Sequence, residues 1–327
     1  MLSALAFYIW SHVQLIPAEV AHMTYSAGQT AAAYFYGFHS REITVDGCTT
    51  RYLEKGQGPT LVLLHGAGVS KETWLLMVPY LFQDYHLLIP DLPGHGQSCR
   101  DLERDFTVEG NSRWLKSYLD SLNIGRVHLA AHSVGASSVG WFIKENSERV
   151  ESVTFIAPAG VEPVPAKISH LTLFMQELVQ TGRNRLNIEN ASDFERVARM
   201  TVHNLPWALW GSYRFLAWEH MRNADQLDKV INGILKTRDD IQSGRKSLEE
   251  LVTNVDMPAQ VIWGEMDKIM HVAGADIIAG MRPDIKVHRL ADVGHGPMVE
   301  APQKTAELIE TLVRSVESES YNNVSTY

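Results

Sequence analysis

The chain has 327 residues, 45% of them hydrophobic, enough apolar matter for one large core or a core with an inserted subdomain, which excludes disordered and fibrous classes. A formal net charge of -9 with dispersed basic residues leaves no electrostatic footprint for a phosphate backbone, so nucleic acid is excluded as a partner. Two cysteines, Cys48 and Cys99, are too few for a disulfide framework or a thiolate metal site; they pair or stay free, and composition leaves that open.

Residues 1–40 hold no Lys or Arg and one carboxylate, Glu19, behind the apolar opening Met1-Leu2-Ser3-Ala4-Leu5-Ala6-Phe7-Tyr8-Ile9-Trp10. The basic start of a secretory signal is missing. Ser11, His12, Gln14 and Pro17 interrupt the run before it reaches the about 20 apolar residues of a spanning helix. Residues 1–16 read as a short membrane-surface anchor or as a helix packed on the domain, with a cleaved signal as a third reading.

From Ile43 the pattern becomes regular. Ile43–Val45 and Thr49–Leu53 read as a hairpin around the turn signal Asp46-Gly47. The runs Leu61–Leu64, His86–Ile89, Val127–Ala131, Val153–Ile156, Val261–Trp263 and Ile285–Leu290 read as short parallel strands, most of them buried on both faces. Helical spacing marks Thr73–Phe82, Thr107–Leu122, Val134–Glu145 and Gln303–Val316. Strands alternating with helices give an α/β fold with a mostly parallel central sheet flanked by helices.

The alternation divides the chain into a first core part, 41–158, a helical insertion, 159–257, a second core part, 258–316, and a polar tail, 317–327, expected to fray. The insertion carries aromatic clusters at Trp207, Trp210, Phe215 and Trp218 and a helical stripe of Leu171, Phe174, Met175 and Leu178. Each stripe member alone reads as core packing. As a group they would line an apolar acyl pocket in a cap over the strand ends.

The chemistry centres on Ala131-His132-Ser133-Val134-Gly135, between a strand and a helix. A serine on so sharp a turn exposes its hydroxyl, and small flanking residues let strand and helix approach. That hydroxyl needs an imidazole to take its proton and a carboxylate to fix the imidazole tautomer; in the doubly wound hydrolase arrangement these follow in the chain order Ser, acid, His. His295, in Asp292-Val293-Gly294-His295-Gly296-Pro297 after the last strand, is the candidate base. His288 lies in a strand, His170, His203 and His220 in the insertion, and His271 at a helix start.

Asp267, beyond the turn Gly264-Glu265-Met266, is the candidate acid, with Glu265 its rival. The backbone N–H groups of Val134 and of Ala67, in His65-Gly66-Ala67-Gly68, are the candidate oxyanion hole. Asp91-Leu92-Pro93-Gly94-His95-Gly96-Gln97-Ser98 reads first as a tight turn whose polar side chains brace neighbouring loops, as do His65 and His132. No residue spacing suggests a metal, and no Gly-rich phosphate loop with a Lys suggests a nucleotide, so no cofactor is expected.

With these residues in place the chain resembles an alpha/beta-hydrolase-fold serine hydrolase over residues 43–316. Ala157-Pro158-Ala159-Gly160, Gly274-Ala275-Asp276 and Glu300-Ala301-Pro302-Gln303-Lys304-Thr305-Ala306 are similar to the monoacylglycerol lipases of the alpha/beta-hydrolase-domain type 6 group and related bacterial lipases. The resemblance implies hydrolysis of single-chain fatty acyl esters by Ser133, Asp267 and His295, with no cofactor. It also implies a membrane-directing N-terminus and hence a membrane-associated enzyme; without the anchor, the cytoplasm or periplasm. The departures are Ala131 for glycine and Ala67 where a bulky residue is frequent, which puts acyl preference in doubt. Two other readings remain: a carbon–carbon bond hydrolase for ring-cleavage dienoates, using Arg183, Arg185 or Arg214 on a carboxylate, and an inactive hydrolase-fold binding module.

Overall fold

The computed structural model describes residues 18–324 except 82–83, 102, 162–171, 182–184, 187, 189–190, 205–227, 230 and 234–254. Strands β1 (His39–Val45), β2 (Cys48–Lys55), β3 (Thr60–Leu64), β4 (His86–Pro90), β5 (Val127–His132), β6 (Val150–Ile156), β7 (Ala259–Gly264) and β8 (Lys286–Leu290) form one sheet in the order β1-β2-β4-β3-β5-β6-β7-β8. The β1–β2 and β2–β4 pairs are antiparallel, and every other pair is parallel. All the parallel strands therefore end at one edge, and the loops there can converge.

Alternate strand residues feed two apolar layers, as a two-residue period requires. Val62, Leu64, Leu129, Phe155 and Trp263 pack on one face with Trp114, Leu115 and Tyr118 of α2 (Val108–Ser121), Val139 and Phe142 of α3 (Val134–Asn146), and Ile278 of α6 (Ala273–Met281). Leu61, Leu63, Ala130, Ile156 and Ile262 pack on the other with Trp74, Met77 and the residues Ala306, Ile309 and Val313 of α8 (Pro302–Val324). Thr107 caps α2, its side chain accepting from the Gly110 N–H.

Two stretches differ from the sequence expectation. Thr73–Phe82 is not one α-helix: residues Lys71–Trp74 and Val78–Tyr80 form two short 3-10 turns, closed by bonds such as Met77 N–H to Trp74 O and Leu81 N–H to Val78 O. Pro79 has no N–H to continue a helix, and the tighter turns bury Trp74, Met77, Val78 and Leu81 together. The polar stretch after Val316 does not fray at once, because α8 runs on to Val324. Glu317 anchors that extension, its Oε1 lying 3.1 Å from Nε2 of His128, whose Nδ1 meets Ser152 Oγ at 2.8 Å.

The first 17 residues lie outside the described ones; the helix that follows, α1 (Ala18–Phe35), leads into β1. Among the described residues no helix is long and apolar enough to cross a membrane. Cys48 and Cys99 are joined in a disulfide, tying the start of β2 to the loop after β4 with their Cα atoms 5.6 Å apart.

Between β6 and β7, α4 (Leu173–Thr181) and α5 (Ala191–Thr201) are described. Phe174, Met175 and Leu178 of the sequence stripe are buried against Ile269, whereas Leu171, Trp207, Trp210, Phe215 and Trp218 lie outside the described residues. Thr172 Oγ1 donates to Ile269 O at 2.9 Å, so this segment touches the loop after β7.

Candidate active site

Ser133 occupies the step from β5 to α3 with φ 54 and ψ -119, a conformation that costs a side-chain-bearing residue on the order of 1–3 kcal/mol. Neighbouring backbone holds the residue there. Its N–H donates to Ile156 O at 2.9 Å, and its carbonyl accepts from Ala136, Ser137 and Ala159. Gly135 is required beside it, because a Cβ there would come within 2.5 Å of His65 O. Ala131, fully buried in β5, meets the steric demand at the position where glycine is frequent.

His295 reaches Ser133 from the loop between β8 and the short helix α7 (Pro297–Glu300). Its Nε2 lies 3.1 Å from Ser133 Oγ and its Nδ1 lies 2.7 Å from Asp267 Oδ2. The ionised carboxylate can only accept, so Nδ1 carries the proton and Nε2 is free to accept from the serine hydroxyl. Asp267 is itself saturated: Oδ2 also accepts from Trp263 Nε1 at 3.1 Å, and Oδ1 accepts from the Ile269 and Met270 N–H groups at 2.8 and 2.9 Å. Glu265, the rival carboxylate, is exposed. The three predicted side chains thus form one buried chain that can move a proton away from a serine oxygen.

The candidate oxyanion loop, His65-Gly66-Ala67-Gly68, runs against the serine. A Cβ on Gly66 would come within 2.9 Å of Ser133 Cβ and 3.0 Å of His132 Nδ1. His65 holds this loop: its Nε2 accepts the Leu92 N–H at 3.0 Å, which leaves Nδ1 to donate to Gly66 O at 2.8 Å. Behind it the buried Lys71 Nζ donates to Asp91 Oδ2 at 2.7 Å, while Asp91 also accepts the N–H groups of Lys71 and Gln97. Burial works against the Lys71 charge, and the Asp91 and Glu72 carboxylates outweigh it, raising its pKa. The Asp91–Ser98 turn therefore braces the β3 and β4 loops against each other. Sequence reasoning gave Lys71 no part in this, since nothing in the sequence marks a lysine as buried.

Three histidines around the site are held neutral. Burial, then His95, pushes His65 down to about 3; burial lowers His95; burial, then His295, lowers His132 well below the ordinary imidazole value. Unfolded, each titrates near 6.5, so below that pH the unfolded chain binds more protons than the folded one. Their stabilising contribution is complete above about 6.5 and is lost as pH falls, for His65 down to about 3. Urea unfolding is expected to show stability declining from about pH 6.5 to about 4.5, by up to about 1.4 kcal/mol per pH unit per histidine. A flat profile across that window would contradict the neutral-histidine picture.

Arg185 is engaged by Glu177, while Arg183, Arg214, His170 and His220 lie outside the described residues. His203 is exposed, His271 Nδ1 accepts the Ala273 N–H, and His288 is part of β8. Among the described residues no cluster of three or more His, Cys, Asp or Glu could hold a metal ion.

A mostly parallel sheet carrying a serine elbow, with an Asp–His pair delivered by its last two strand-end loops, is the arrangement of a serine hydrolase. The chain belongs to the alpha/beta hydrolase family, whose model matches residues 61–308. It is similar to monoacylglycerol lipase abhd6-B of Xenopus laevis, 25% identical over 83% of this chain and 80% of that one. Lipase 1 of Psychrobacter immobilis is 26% identical over 78% of each. Among solved structures, a bacterial membrane phospholipase A superposes with a TM-score of 0.82 at 23% identity, covering 91% of this chain and 93% of that one, a likeness of fold.

Proposed function

We propose that the protein hydrolyses fatty acyl esters of glycerol, monoacylglycerols foremost, through an acyl-enzyme on Ser133. His295 takes the Ser133 proton as Oγ attacks the ester carbonyl, then returns it to the leaving alcohol. The Ala67 and Val134 N–H groups hold the developing oxyanion, and the N-terminal end of α3 adds its dipole. Water activated by His295 releases the fatty acid. The observation carrying this reading is the Ser133–His295–Asp267 hydrogen-bonded chain. Apolar residues of the insertion, Phe174, Met175 and Leu178, favour an acyl chain over a charged substrate and support its role as a cap. In this reading Ala67, a small residue in the His65-Gly66-Ala67-Gly68 loop, would leave room for the acyl group. The test is a panel of monoacylglycerols and simple esters of increasing chain length, with a ring-cleavage dienoate in parallel. Turnover is expected to rise with chain length and the dienoate to persist; dienoate cleavage with negligible ester cleavage would overturn the proposal.

Residues 1–16 serve in this reading as a membrane-surface anchor, supported by their apolar opening and by the naming of a fold relative as a membrane phospholipase A. The Cys48–Cys99 disulfide supports an oxidising compartment, the periplasm rather than the cytoplasm. Deleting residues 1–16 is expected to release the enzyme from membranes while leaving turnover of a soluble ester intact. Equal partitioning of both forms between membrane and supernatant would refute the anchor.

A further inference from the structure

We propose that Glu300 is a positioning residue that couples α5 of the inserted segment to the loop carrying His295, so that displacement of α5 moves the imidazole. The inference rests on His295 being the base. The Glu300 carboxylate accepts four backbone N–H groups from two separate parts of the chain. Oε1 takes Gly294 at 3.0 Å and Gly296 at 3.3 Å, the residues on either side of His295. Oε2 takes His203 at 2.8 Å and Asn204 at 2.9 Å, immediately beyond α5. Bonds to an ionised acceptor are roughly twice as strong as neutral ones, so this is a substantial tie between the two segments.

The surrounding backbone reinforces the tie. The His295 N–H donates to Thr201 O at the end of α5 at 2.8 Å, Asn204 Nδ2 donates to Asp292 O at 2.8 Å, and the His295 carbonyl accepts from His132 Nε2 at 2.7 Å. The two segments interlock closely: a Cβ on Gly294 would come within 2.7 Å of the His203 nitrogen and 3.1 Å of Thr201 O. On its other side α5 carries Met200, packed on the cluster of Phe174, Met175, Leu178 and Ile269. An acyl chain entering that cluster would press on the helix that holds the base loop, and the strain would reach His295 through Glu300.

Glutamine keeps the shape of Glu300 but has one accepting oxygen, and its NH2 group would face two N–H donors on the other side. In Glu300→Gln, amide hydrogen exchange at residues 292–296 and 198–204 is therefore expected to quicken about tenfold in both segments, with β5 as protected as in wild type. Acylation of the serine by a fluorophosphonate is expected to slow about tenfold, and kcat for a short ester to fall by a similar factor, with KM changing less than about twofold. A second variant, Glu300→Asp, keeps the charge on a side chain one methylene too short to span both segments and is likewise expected to quicken exchange at 292–296 and 198–204; it carries the test if Glu300→Gln fails to fold. Loosening confined to one segment, or wild-type acylation in a loosened Glu300→Gln, would overturn the coupling. A wild-type enzyme inert to both fluorophosphonate and esters would instead defeat the role of His295, and the exchange data would still decide whether Glu300 joins the two segments.

Discussion

Ser133→Ala is expected to lower kcat on the long-chain esters by a factor on the order of 10⁴ to 10⁶, with the fold intact. The substitution deletes one oxygen, whose bond in the structure is to His295 Nε2 at 3.1 Å. The backbone bonds that hold the elbow, from Ser133 N–H to Ile156 O and from Ala136, Ser137 and Ala159 to the Ser133 carbonyl, remain. Alanine has the same Cβ and the same positive φ to bear, so the thermal midpoint is expected to shift by no more than a few degrees. Ser133→Gly would be equally inactive but more stable by about 1 kcal/mol, because glycine adopts φ 54 without a Cβ penalty. Activity should be measured per folded molecule, with calorimetry alongside. Retention of a tenth of wild-type turnover by the alanine enzyme would remove the serine from the chemistry.

Ser133, His295 and Asp267 were legible because each follows a short apolar run whose period marks it as a strand, and strand ends on a parallel sheet share one edge. What could not be read were features created only when distant segments meet. Thr73–Phe82 has helical spacing; Pro79 is a local signal against one helix, and the burial of Trp74 and Met77 beneath α8 completes the change to two tight turns. The stretch after Val316 is polar enough to suggest a loose tail; the helix continues through it, and Glu317 meets His128 in a pairing across 189 positions. Lys71 and Glu300 fall in the same category. A lysine or glutamate is ordinarily a surface residue, and only the fold supplies Asp91 beneath the first and four amides around the second. The Cys48–Cys99 bond likewise needed the β2 to β4 register before it could be assigned.

Asp267→Asn is expected to lower kcat on the order of 10⁴-fold, by a route distinct from lost charge alone. Asp267 presents only acceptors to four donors: His295 Nδ1 and Trp263 Nε1 on one oxygen, the Ile269 and Met270 N–H groups on the other. Asparagine must turn its NH2 toward one pair. Facing Ile269 and Met270, it sets donor against donor and opens the loop, costing about 1–3 kcal/mol for the unpaired groups. Facing His295, it forces the imidazole into the other tautomer, with Nε2–H directed at Ser133 Oγ, unable to take its proton. Either orientation disables the base, so the loss should appear in kcat with KM for a short ester nearly unchanged. Glu265→Gln is the matched control: Glu265 is exposed on the same turn and is expected to stay within about twofold of wild type. If Glu265→Gln were crippled while Asp267→Asn stayed within tenfold, the carboxylate that orients His295 would be Glu265 and the hydrogen-bonded chain would have to be redrawn.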